Sequence, residues 1–241
     1  MKTLTKYLNE KLITDHRFDE KLIINQRFDE KLIINKDYKD LYTCEPKTFD
    51  ELRKIIEDRY KKFGPGTKQK PIDFNDVDVS NIDSFCNENN RGIFYTTRFE
   101  YIDISNWDVS NVEDMHNIFF ACKDLKSIGD ISNWDVSNVK YISYMFFECE
   151  QLKSVGDLSN WNVSKVKVMS FMFHKCKQLK SVGDLSNWNV SKVENMWNMF
   201  YSCKQLKSVG DLSNWDVSNV KYMFNMFFGS GITNIPKWYR S

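Results

Sequence analysis

The chain has 241 residues and a formal net charge of +1 at pH 7, a balance that gives no electrostatic footprint for general nucleic-acid or membrane-surface binding. No stretch approaches the roughly 18 apolar residues that span a bilayer, and the opening MKTLTKYLNEKL is too often interrupted by polar groups to be a signal-peptide core. The sequence as written has no lipobox cysteine, so its six cysteines read as reduced thiols, and the expected location is cytoplasmic or virion-associated.

In chain order, residues 1–40 form an arm built on a ten-residue repeat, EKLITDHRFD, EKLIINQRFD and EKLIINKDYK. On a straight helix its apolar face would rotate by about 80° per copy, whereas a strand would keep its face because ten is even. Short strands and flexible linear motifs are both open readings, and the arm is expected to lie outside the fold. Residues 41–72 predict a helix that covers the first flank of a repeat array. Thr48 and Glu51 form a capping box, Phe49, Leu52, Ile55, Ile56 and Phe63 form an apolar stripe, and Gly64 is the stop. Residues 73–102 read as a degenerate first repeat, in which Val77 replaces a tryptophan and Glu88 falls at the second Met position.

Residues 103–235 hold five repeats, the last truncated, and 236–241 a tail. Trp107, Trp134, Trp161, Trp188 and Trp215 recur every 27 residues, as do Cys122, Cys149, Cys176 and Cys203. One supersecondary unit copied in tandem at this period stacks into a solenoid. Within residues 130–156, Val139, Ile142, Met145, Phe146, Cys149 and Leu152 predict a helix with one buried stripe, N-capped by Ser137. Leu152 to Val155 predicts a short parallel strand. The fold class expected is therefore α/β, a curved leucine-rich-repeat-type solenoid with an N-terminal helical cap.

The phrase W-D-V-S-N-V-x-x-M-x-x-M-F, standing from Trp215 to Phe227 and in earlier copies, resembles the BspA-like leucine-rich repeats, a bacterial surface-protein repeat of about 26 residues found also in mycoplasmas. The resemblance covers 103–235 and, more weakly, 42–102. It implies a non-catalytic binding or adhesion module, commonly on a cell surface, and no ligand-contacting residue follows from its motif. The first twelve residues are similar to the opening peptides of some bacteriophage internal head proteins, which gives a second reading: a virion-associated structural protein with an N-terminal docking arm.

No catalytic residue, metal site or cofactor is expected. His16, His116 and His174 share no repeat, so no nucleophile–base pair forms. The cysteines lack Cys-x-x-Cys or nearby histidine ligands and read as a buried ladder. Asp130, Asp157, Asp184 and Asp211 read as turn-stabilising. Two surfaces are candidates for ligand binding. Lys126, Lys153, Lys180 and Lys207 should line the strand face, either as an aggregation-resistant lysine ladder or as a groove for an extended anionic ligand. Tyr144, Phe171, Trp197 and Phe224, joined by Tyr141 and Tyr222, are large aromatics on the outward side of the expected helices. They read as a contact site for a protein partner or as packing between neighbouring helices.

Overall fold

The computed structural model describes residues 44–240. The decapeptide arm and the docking role expected of it lie outside the described residues.

The first element, α1, spans Phe49–Phe63. Thr48 caps it with an extended backbone and accepts from the Glu51 N–H, and Gly64 ends it at φ 72° with its N–H on the Tyr60 carbonyl. A left-handed residue at that point costs glycine nothing. Leu52 and Ile56 are fully buried, whereas Phe63, expected on the same stripe, is 52% exposed.

Beyond α1 the chain is a repeat fold with little regular secondary structure. β1 (Ile72–Asp73) pairs in parallel with β2 (Ile102–Asp103), and the remaining strand pairing is a set of isolated bridges. The helices expected in each repeat do not form. The stretch from Met115 to Ala121 and its copies is a chain of tight turns. Asn117, Tyr144, Phe171, Asn198 and Asn225 hold φ of 55–59°, and Ala121, Glu148, Lys175 and Ser202 hold 55–57°. A left-handed residue every few positions forbids an α-helix. Turn bonds replace its i→i−4 ladder, with Val112 to Val109, Phe120 to Asn117, Cys122 to Phe119 and Leu125 to Cys122 at 2.9–3.1 Å. Ser137 is accordingly not a helix N-cap; its N–H donates to Asp135 Oδ1 at 3.0 Å.

The same stretch carries the junction between repeats. Met115, Asn117, Phe119 and Ala121 donate to the carbonyls of Tyr141, Ser143, Met145 and Phe147 at 2.7–3.2 Å, and this set of four recurs down to Met196, Asn198, Phe200 and Ser202. Bridges run through Ser84, Asp114, Tyr141, Val168, Asn195 and Tyr222. The expected strand is present only in part, as bridges Tyr101↔Ser127 and Ser154↔Ser181.

Side chains stack in the same register. Trp107, Trp134 and Trp161 are near-parallel at 6.4–6.5 Å between centroids, as are Trp188 and Trp215 at 6.4 Å. Each buried indole N–H donates to a carbonyl of the preceding repeat, as Trp161 does to Ile131 at 3.1 Å. Phe119, Phe146, Phe173, Phe200 and Phe227 form a second column at 5.4–5.8 Å. The cysteine column is buried beside it, Cys149 Sγ donating to the Phe119 carbonyl at 3.1 Å.

Two details of register differ from the sequence-based expectation. Ile93, not Glu88, fills the second Met position: it is fully buried, and Phe94 stacks on Phe119 at 5.1 Å. Residues 86–92 form an inserted loop closed by the Cys86↔Gly92 bridge. At the far end Trp238 extends the tryptophan column, 6.3 Å from Trp215, with its N–H on the Leu212 carbonyl at 2.8 Å.

Candidate functional site

The turns of successive repeats set two rows of rings side by side. In each copy the residue after the buried Met-Phe or Ile-Phe pair is aromatic or histidine. Tyr95, Phe120, Phe147, His174, Tyr201 and Phe228 therefore make one continuous stack, at 4.6–5.5 Å and no more than 20° from parallel. His174 is expected from the sequence as a packed ring, but the row as a whole is not; its signal is this invariably ring-bearing position.

The second row contains the residues singled out from the sequence. His116 meets Tyr144 edge-on at 5.4 Å, Tyr144 stacks on Phe171 at 4.6 Å, and Phe171 meets Trp197 at 5.3 Å and 52°. The rows touch where Tyr144 lies 5.5 Å from Phe147 and Phe171 lies 5.4 Å from His174. Trp197 is 43% exposed, Tyr141 40%, Tyr222 and Phe224 61%, and Phe228 62%. Tyr144 and Phe171 are half-buried rather than on the outside. Both occupy the left-handed position that the other copies fill with asparagine, a conformation costing a bulky residue on the order of 1 kcal/mol or more. Their mutual stacking offsets a similar amount, about 0.5–1.5 kcal/mol.

His174 is enclosed between Phe147 and Tyr201, and its Nδ1 has no hydrogen-bond partner among the described residues. Burial, helped by the neighbouring Lys175 charge, lowers its pKa to about 4, so the ring is neutral at physiological pH. Burial also lowers the pKa of His116, whose Nδ1 lies against Ser143 Oγ. Burial pushes the Cys122 thiol up to about 11 and Cys203 to about 12, which leaves these thiols unreactive. Among the described residues no group of three His, Cys, Asp or Glu side chains lies close enough to hold a metal ion, and no helix is long and apolar enough to cross a membrane.

The lysine column is uneven. Lys126 is ion-paired with Glu100 and lies over the Tyr101 ring at 5.6 Å. Lys153, Lys180 and Lys207 are exposed with no acidic partner among the described residues. The aspartates after the glycines do not screen them. Asp130, Asp157, Asp184 and Asp211 accept instead from the N–H groups of Ser132, Ser159, Ser186 and Ser213 at 2.9–3.0 Å. They stabilise turns, as their position in the sequence indicates.

A family described as "Mycoplasma protein of unknown function, DUF285" matches residues 87–208 and 154–238, together more than half of the chain. The chain belongs to this family. Among solved structures, a leucine-rich repeat protein from Eubacterium ventriosum ATCC 27560 is similar at 19% identity with a TM-score of 0.39, over 61% of this chain and 35% of that one. The chain thus spans about a third of the length of that protein. No curated protein matches the sequence.

Proposed function

We propose that this DUF285 protein is a non-enzymatic interaction module that takes a protein partner on the aromatic face of its later repeats. The observation that carries this reading is the grouping of Tyr141, Trp197, Tyr222 and Phe224, large apolar side chains left exposed on one stretch of the repeat, beside the half-buried Tyr144 and Phe171. Aromatic side chains grouped this way give much contact area at low entropic cost. The repeat supplies the frame: Tyr144, Phe171 and Trp197 meet ring to ring, and four backbone bonds hold each junction from Met115 onward. A second reading, a binding strip for an extended anionic ligand, is favoured by Lys153, Lys180 and Lys207, cations of one column without acidic partners among the described residues. The adhesion role implied by the BspA-like resemblance is compatible with either.

The test is a comparison of the full chain with two double variants, Trp197→Ala/Phe224→Ala and Lys153→Ser/Lys180→Ser. Proteins recovered from cell extract by the parent chain are purified and titrated against all three. A partner whose affinity falls ten-fold or more only with the aromatic variant supports the aromatic face. Loss only with the lysine variant moves the site to the lysine column, and loss with neither overturns both.

A further inference from the structure

The two ends of the array do not finish alike. At each junction from Met115 onward four N–H groups of one repeat meet carbonyls of the next. In the last repeat the equivalent donors are Met223, Asn225, Phe227 and Gly229, and none has a partner among the described residues. Part of this end is closed: Trp238 covers Trp215, and Tyr239 meets Phe227 edge-on at 5.1 Å. The side holding Tyr222, Phe224 and Phe228 stays open.

The chemistry of this edge restricts what fits it. The carbonyls of Met223, Asn225 and Phe227 turn back to the N–H groups of Met226, Phe228 and Ser230, so the edge offers mainly donors, with the Lys221 carbonyl, counterpart of the Glu194 carbonyl that accepts from Lys221, as an acceptor. Two copies match poorly edge to edge, because most donors would face donors. Nor can copies join head to tail, because at the first end Arg53 of α1 already occupies the Ile93 carbonyl at 2.6 Å, and Leu52 and Ile56 are buried there. Lys221 is ion-paired with Glu194 at 2.6 Å, whereas Lys237 and Arg240 are exposed with no acidic partner among the described residues, so the end favours negative charge. An extended segment presents carbonyls at alternate residues, the spacing of the free donors.

We propose that this edge receives an extended, acidic segment of a partner protein, added in parallel as a sixth repeat would be. Its carbonyls accept from Met223, Asn225, Phe227 and Gly229, and its apolar side chains cover Phe224 and Phe228. This site goes beyond the aromatic side face, with which it shares only Tyr222 and Phe224.

The probe is a synthetic peptide of residues 194–202, which begins on Glu194 and contains no lysine or arginine. Amide exchange is followed in the full chain with and without it. The expected result is at least ten-fold slower exchange at residues 223, 225, 227 and 229, absent with a scrambled peptide and abolished by Phe228→Asp at unchanged thermal midpoint. Phe171→Ala, which alters only the side face, should leave this protection intact, so the two proposals fail separately. Unchanged exchange at the four amides overturns the proposal. So does protection without peptide that grows with protein concentration, which would show a second copy on the edge.

Discussion

At the first end of the array a 15-residue helix lies on the opening repeat. Its Leu52 and Ile56 are buried, Arg53 holds a backbone carbonyl, and Arg59 makes a bidentate pair with Asp76 at 2.7 and 3.0 Å while lying 5.0 Å over Phe74. At the last end two aromatic residues, Trp238 and Tyr239, cover only part of the final repeat, and four backbone donors stay unmet among the described residues. Repeat stacks gain stability from nearest-neighbour interfaces, so a terminal unit lacks half of what an internal one has. At the first end α1 buries Leu52 and Ile56. At the last end Trp238 and Tyr239 cover the tryptophan column and Phe227, and Tyr222, Phe224 and Phe228 stay exposed.

The largest effect expected from this contrast is between tryptophans. Trp161 is buried with a repeat on each side, and Trp161→Ala should cost about 3–5 kcal/mol, including an orphaned Ile131 carbonyl. Trp238 is half-buried and stacked on one side only, so Trp238→Ala should cost about 1–2 kcal/mol. Equilibrium denaturation of both variants measures the difference. Equal losses would show that the last repeat is packed as tightly as the middle ones.

His174 gives the next effect, and it belongs to the interior of the array. Its folded pKa of about 4 lies below the ordinary value of 6.5, so below neutrality the unfolded chain binds a proton that the folded chain refuses. The stability this neutral ring contributes is complete above about pH 6.5 and is lost progressively as pH falls towards 4. At about 1.4 kcal/mol per pKa unit the loss is on the order of 3 kcal/mol. His174→Phe restores the residue that Phe120 and Phe147 provide in earlier copies. It should flatten this part of the pH profile relative to the parent, in which the lowered pKa of His116 adds a loss of the same sign. Parallel profiles for parent and variant between pH 7 and 4.5 would show that the ring is reached by water.

Much of this is legible in the sequence, and the differences have physical causes. The 27-residue period points to the repeat fold, and the apolar positions read as internal, from Val139 through Leu152, are buried. The helix expected over them fails for a reason present in the spacing. Val139, Ile142 and Met145 step by three, so on an α-helix the first and last would sit about 120° apart. A three-residue step fits a chain of tight turns, and asparagine at positions 117, 198 and 225 is the residue that tolerates the left-handed conformation such turns need. Glu88 does not take the Met position because the loop at 86–92 pushes the next buried residue, Ile93, out of register. Trp238 is hidden from the period because it follows Trp215 by 23 residues rather than 27. Trp197, Tyr222 and Phe224, read from the sequence as outward aromatics, are exposed, whereas Tyr144 and Phe171, read the same way, are half-buried because the turn backbone stacks them on each other.

The smallest effect is the one that separates a surface from a core. Trp197 lies in the same repeat as Trp188, yet one indole is 43% exposed and the other 3%. Trp197 meets Phe171 at a tilt and its indole N–H makes no bond among the described residues, whereas the Trp188 N–H reaches the Leu158 carbonyl at 2.8 Å. Removing a side chain already in water leaves little cavity and no orphaned carbonyl, so Trp197→Ala should change stability by no more than about 0.5 kcal/mol. The matching Trp188→Ala is the internal control and should behave as Trp161→Ala does. A loss at Trp197 above about 2 kcal/mol, well past the ordinary surface range, would make that ring part of the core and remove the reason for assigning it to a binding face.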